Sequence, residues 1–320
     1  MRFIDLHCDT LMDCYIEKKP LSAREGHIDI QKLKAGEAWA QCFAIFVPWN
    51  KSAEHFGITE APYDYFQGAY QCYLEQLELN KDALRPALTV QDLEANKAAG
   101  FMSAILTLED AVHLDGKLER VDELYEKGVR IASLTWNWEN SLAFPNSKDA
   151  ELHNKGLKPF GFEAIARMEQ LGIVPDISHL SEGGFWDMIK TCTKPFVATH
   201  SCARALCDHS RNLTDAQLKA LGEKGGVVGI NFLDAFLKAD AGGFTKTAYI
   251  VEHLAHMADK AGVEALAMGS DFDGIDSKLE FVDYSGMPQI ADALKARFTE
   301  REIDLISSGN ILRVFKECWK

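Results

Sequence analysis

Six side chains able to bind a metal ion each follow a short apolar run. His7 and Asp9 close FIDLHCD, Glu109 closes AILTLE, His179 follows VPDIS, His200 follows FVAT and Asp271 follows LAMGS. Imidazole with carboxylate is a mixed nitrogen and oxygen donor set, suited first to Zn²⁺ and also to Mn²⁺, Fe²⁺ or Co²⁺. His7 and Asp9 are two residues apart, so on an extended strand both project to one side. Any one of these residues alone reads as well as a packed histidine or a strand-end acid. Their recurrence is what carries the metal reading. Three histidines and at least two carboxylates exceed the roughly three protein ligands of a single catalytic zinc. The set therefore points to two ions sharing a bridging carboxylate, an arrangement that activates water and polarises a carbonyl.

Ligands scattered from residue 7 to residue 271 meet only if many strand ends share one rim. The (β/α)₈ barrel of TIM type does this, with its chemistry at the C-terminal ends of the strands. The apolar runs that would form its strands are Phe3–Leu6, Gln41–Val47, Ser103–Leu108, Val129–Leu134, Gly172–Ile177, Phe196–Thr199, Gly226–Ile230 and Ala265–Met268. Helical spacing lies between most of them, over Tyr65–Leu84, Leu118–Lys127, Phe162–Leu171, Thr247–Ala261 and Thr299–Trp319, with a capping box at Thr214 and Gln217. Strand and helix alternating throughout predict one α/β domain over residues 1–320. A doubly wound open sheet is the rival architecture, but it would gather ligands at one switch point. The aperiodic stretch from Asn137 to Lys158 would overhang the active face.

Of the 320 residues, 47% are hydrophobic and 26% charged, enough to bury a large core, and the net charge is −14. That charge disfavours nucleic acid and anionic membrane surfaces as partners. No apolar run approaches the roughly 18 residues of a membrane span. The opening MRFIDLHCD has no basic-then-apolar leader, which predicts a cytoplasmic protein. The eight cysteines show no CxxC pair and read as reduced, buried thiols. Among soluble oligomers the homodimer is the default expectation. The other histidines lack the strand-end setting: His253 and His256 share a helix face, His27, His55, His113 and His153 lie elsewhere, and His209 in CDHSRN falls near the rim.

The series FIDLHCDTL, GHIDIQKLKAG, LTLEDA, DISHLS, ATHSCARALCDHSRNLTDAQL, GGVVGINF, GSDFDG and GNILRVF resembles the membrane dipeptidase (renal dipeptidase-like) metallopeptidases of the amidohydrolase superfamily, across nearly the whole chain. The resemblance implies a dinuclear zinc dipeptidase. His7 and Asp9 would hold one Zn²⁺, His179 and His200 the other, and Glu109 would bridge them as a catalytic ligand. Asp271 would be the catalytic proton carrier, and Arg211 would bind the C-terminal carboxylate of a dipeptide, including one ending in a D-residue. Trp136 and Asn137 would touch the substrate.

One departure stands out. The family often has a histidine in LTHN, and this chain reads LTWN, with Trp136 in its place. Leu233 in NFLD likewise replaces a tyrosine of some members. These changes keep open a superfamily hydrolase acting on an N-acyl amino acid, lactone or cyclic amide, or a catalytically silent metal-binding homologue.

Overall fold

The computed structural model describes residues 2–320. Eight parallel strands form the barrel: β1 (Phe3–Asp5), β2 (Ala38–Phe46), β3 (Met102–Glu109), β4 (Val129–Ser133), β5 (Val174–Asp176), β6 (Val197–Ser201), β7 (Val227–Ile230) and β8 (Leu266–Met268). Each pairs with the next, and Asp5 of β1 pairs with Met268 of β8 to close the ring. The longest register joins β2 to β3, from Ala40↔Ser103 to Phe46↔Glu109. Both strands are buried at every position, as strands covered on two faces must be. The expected (β/α)₈ barrel is thus the fold, and each apolar run overlaps one of its strands.

The boundaries differ locally. β2 starts at Ala38, earlier than its apolar run, because the Trp39 indole N–H donates to the Leu93 carbonyl at 3.0 Å and anchors the strand start. A short strand, Leu84–Pro86, pairs with the beginning of β3, and a second small sheet joins Phe244–Thr245 to Lys278–Leu279. The helices Val90–Ala98 and Glu182–Thr191 are additional to those expected. The second opens with Gly183 and Gly184, poor helix formers that here leave room for the Asn154 backbone and the Leu180 side chain. The helices Glu119–Glu126, Pro159–Leu171 and Thr247–Ala261 lie where the periodicity places them, and the Thr214–Gln217 capping box is formed.

The last helical stretch runs without a gap but changes pitch. Glu300–Asp304 passes through a π-turn over Leu305–Gly309 into Asn310–Cys318. Just past that turn, the Asn310 amide donates to the Val263 and Leu266 carbonyls at 2.7 and 2.8 Å, tying the helix to the start of β8. Ile311, Val314, Phe315 and Trp319 then pack with Ile4, Ile105, Ile131 and Val227 of the strands. A larger cluster joins the strands to the surrounding helices. All eight cysteines are free and buried. Among the described residues, no helix is long and apolar enough to cross a membrane.

Candidate active site

The sequence-predicted ligands converge at the C-terminal ends of the strands. Beyond β1 the chain stays extended: Cys8 bridges Phe272, its carbonyl accepts from the Ala44 N–H, and the Asp9 N–H donates to Phe272. Alternation therefore continues past the strand, and His7 Nε2 lies 3.5 Å from Asp9 Oδ2. Glu109, the last residue of β3, lies between two groups of donors. Its Oε2 is 3.5 Å from His7 Nε2, whereas Oε1 is 3.0 Å from His179 Nε2 and 3.6 Å from His200 Nε2. Asp271 Oδ1 is 3.7 Å from His7 Nε2. Two trios of ligand atoms lie within 4.8 Å of one another, His7 with Glu109 and His200, and His7 with Asp9 and Asp271. His179 and Asp271 adopt positive φ, 66° and 62°, a local cost that rim geometry enforces.

Neighbours orient these ligands. Thr199 Oγ1 donates to Asp176 Oδ2 at 2.6 Å and lies 2.9 Å from His200 Nδ1. Its only proton being committed to Asp176, the hydroxyl accepts from Nδ1–H and leaves Nε2 of His200 as the lone-pair nitrogen. Asn137 Oδ1 stands 3.0 Å from His179 Nδ1 and does the same for that ring. Asn231 donates its amide to Asp271 Oδ2 at 2.8 Å, leaving Oδ1 toward the cluster. Asp5 accepts from Ser270 N–H and Oγ–H, which fastens the β8 exit to β1.

The donor set fits metal ions. Among the described residues, His7 Nε2 and Asp9 Oδ1 are buried without a hydrogen-bond partner, a costly state that ligation would remove. Burial, with Asp9 adding repulsion, raises Glu109. Burial also raises Asp271. For His7, burial opposes the charged form, but Glu109 and Asp9 outweigh it and hold the imidazole well above its usual value. Burial drives His179 and His200 the other way, toward neutral rings. Crowded carboxylates seeking positive charge beside neutral imidazoles are what divalent cations satisfy.

Beside this cluster lies a cavity of about 540 Å³. Phe46, Phe56 and Trp136 form one aromatic wall, with ring centroids of Phe46 and Trp136 5.0 Å apart. Asn137, Leu233 and Arg211 also face the cavity. Arg211 is buried; among the described residues its Nε has no partner and its terminal nitrogen reaches only the His200 carbonyl at 3.3 Å. No carboxylate among the described residues forms an ion pair with it. Phe236 lies 5.4 Å from the guanidinium, and the His209 ring rests on Phe236 at 4.5 Å while accepting from the Arg211 N–H. His209 therefore supports the arginine loop instead of facing the ligands.

Sequence reasoning did not single out several supporting residues. Arg24 is buried between Asp13 and Asp273; its Nη1 lies 2.5 Å from Asp273 Oδ2, and its Nη2 pairs with Asp13. Asp273 also accepts from Thr10 Oγ1 and from the His27 N–H, so the β1 loop and the β8 loop are clamped together. The second aspartate of GSDFDG was the available signal, but nothing in the sequence links it to Arg24. Thr199 and Asp176 adjoin ligand motifs, yet only the barrel brings one to the other.

A closed parallel barrel that gathers histidines and carboxylates beside a small-molecule cavity defines a metal-dependent hydrolase of barrel type. The membrane dipeptidase (peptidase family M19) model matches residues 1–319. A protein encoded in the pqqA 5′ region of Klebsiella pneumoniae is 36% identical over 74% of this chain and 90% of its own length. The dipeptidase tcpJ of Claviceps purpurea is 27% identical over 93% of this chain and 71% of its own. A Rhodobacter sphaeroides metallopeptidase crystallised with a phosphinate mimic of L-Ala-D-Ala superposes with a TM-score of 0.90 at 25% identity, over 100% of this chain and 99% of that one. The chain belongs to the membrane dipeptidase family, M19, and is a peptide-bond hydrolase of metallopeptidase fold.

Proposed function

We propose that this enzyme is a dinuclear zinc dipeptidase that cleaves dipeptides with a free C-terminal carboxylate, those ending in a D-residue included. The observation that carries the reading is the division of Glu109, with one oxygen toward His7 and the other toward His179 and His200. His7 and Asp9 would hold one ion, His179 and His200 the second, and Glu109 would bridge. Bound there, the ions would supply Lewis-acid polarisation of the scissile carbonyl and activation of a water.

The remaining roles fall to the chain. Arg211, buried and without a carboxylate partner among the described residues, pairs with the substrate carboxylate; its Nη2 lies 3.3 Å from the His200 carbonyl, and so short a reach from that anchor to the cluster selects dipeptides. Asp271 takes the proton of the attacking water on Oδ1 and passes it to the leaving amine, while Asn231 holds Oδ2. Trp136 and the aromatic wall bound the substrate's apolar surface. The likeness to the protein crystallised with an L-Ala-D-Ala mimic supports including L,D-dipeptides.

The test is hydrolysis of L,L- and L,D-dipeptides by Zn²⁺-loaded protein, with metal content measured in parallel. The expected result is two ions per chain and release of free amino acids. Asp271→Asn should keep its metal and lose most turnover. A folded, metal-replete wild type inert on every dipeptide would refute the reading.

A further inference from the structure

The Asn137 side chain has two ends, and the structure uses only one. Its Oδ1 lies 3.0 Å from His179 Nδ1. For His179 Nε2, 3.0 Å from Glu109 Oε1, to present a lone pair, Nδ1 must carry the proton. The amide oxygen then has to be the acceptor, which turns the amide NH₂ away from the ring. No protein group among the described residues accepts from that NH₂, and Asn137 is an exposed residue on the cavity wall. A donor-only group thus stands beside a ligand histidine and faces the substrate space.

We infer that the Asn137 amide NH₂ donates to the scissile carbonyl oxygen and stabilises the negative charge that develops there. The inference rests on the dipeptidase reading above and follows from the chemistry of a dipeptide. A dipeptide offers two acceptors, its terminal carboxylate and its peptide carbonyl. Arg211 takes the first, which leaves the carbonyl for the amide. Trp136, next in sequence, packs its ring against Phe46 at 5.0 Å and lies 5.9 Å from the His179 ring, so it forms the apolar part of the same wall. Asn137 thereby acts as a positioning residue for His179 through its oxygen and as a catalytic residue through its nitrogen. As hydroxide adds to the carbonyl carbon, the C=O π pair moves onto oxygen. The amide N–H bonds strengthen their hydrogen bond to that oxygen without giving up a proton.

Two variants separate the two ends. Asn137→Asp keeps an acceptor for His179 and removes the donor; Asn137→Ala removes both. At saturating Zn²⁺, kcat should fall about 100-fold in both, the lower end for loss of one oxyanion donor. Affinity for a phosphinate dipeptide mimic should fall by a comparable factor. Zn²⁺ affinity should drop about tenfold in Asn137→Ala, as for loss of an orienting partner, and hold in Asn137→Asp. Repulsion between the new aspartate and the substrate carboxylate would raise KM and leave kcat alone, so a loss confined to KM overturns the inference. An Asn137→Asp kcat within twofold of wild type also overturns it, because only the oxygen then matters. If the wild type cleaves no dipeptide, the underlying reading fails and the inference with it; a cleaving wild type with unaffected variants removes the inference alone.

Discussion

Gly274 stands directly against the Asp9 carboxylate: a Cβ at this glycine would overlap Asp9 Oδ2 and come within 2.6 Å of Asp271 Oδ1. The absence of a side chain at residue 274 is thus what allows an acid from the β1 exit and an acid from the β8 exit to lie together beside His7.

Gly274→Ala should therefore displace Asp9 from its position beside His7. The expected outcome is loss of one of two bound ions, with turnover reduced about 100-fold, the upper end for disturbed ligand support. Elemental analysis after gel filtration gives the stoichiometry. A variant retaining both ions and full activity would show that the loop relaxes around the added methyl.

Arg211 is buried, and burial lowers its pKa only in competition with Asp271 and Glu109. A buried guanidinium without a hydrogen-bonded carboxylate is costly, and a substrate carboxylate offsets that cost. Arg211→Lys should raise KM at least tenfold for free dipeptides, because the bidentate fork is lost. Wild type should discriminate strongly against dipeptide amides, and Arg211→Ala should erase most of that preference. Steady-state kinetics on matched acid and amide pairs checks this.

Arg24 joins Asp13 to Asp273 from a position almost closed to solvent. Arg24→Met leaves Asp273, whose carboxylate holds the β1 and β8 loops together, without its buried cation. Removing one partner of such a pair costs on the order of 3–5 kcal/mol. The thermal midpoint should fall by several degrees and Zn²⁺ occupancy beside Asp9 should drop. Arg24→Lys should recover part of both. Calorimetry with metal titration distinguishes this from a surface ion pair, which would move neither.

His113 stacks on Phe66 at 4.3 Å, and neither ring nitrogen has a partner among the described residues. Burial, with Arg120 adding repulsion, lowers it from 6.5 to about 3. The unfolded chain therefore takes up this proton first as pH falls. The stability tied to the neutral ring is complete above about pH 6.5 and is lost as pH drops toward 3. At pH 5 the loss relative to pH 7 is on the order of 2 kcal/mol. His113→Phe preserves the stack and removes the proton site. Its thermal midpoint should gain on the wild type at pH 5 compared with pH 7; parallel pH curves would rule His113 out as a source of acid sensitivity.

Much of the fold was legible because barrel strands are short, buried and apolar, and every run from Phe3 to Met268 left that mark. The convergence of these donors was legible for the same reason, since His7, Glu109, His179, His200 and Asp271 each follow such a run and meet at the rim. The helix Glu182–Thr191 was hidden by its glycines, whose purpose is contact with Asn154 and Leu180. The helical stretch expected over Thr299–Trp319 is present, but it contains a π-turn that spacing did not announce, leading directly into Asn310 and its bonds to carbonyls 47 and 44 residues away in the chain. Local spacing carries no record of such partners.

The sequence by itself determined the donor types, their strand-end placement and the family to which the chain belongs, because periodicity and motif are local properties. The tertiary structure alone decided which oxygen of Glu109 faces which histidine and which ring nitrogens Thr199 and Asn137 leave free. It also decided that Arg24 reaches Asp273 and that Gly274 admits Asp9. Those relationships join residues up to 265 positions apart, and only closure of the barrel, by pairing β1 with β8, brings their atoms within bonding distance.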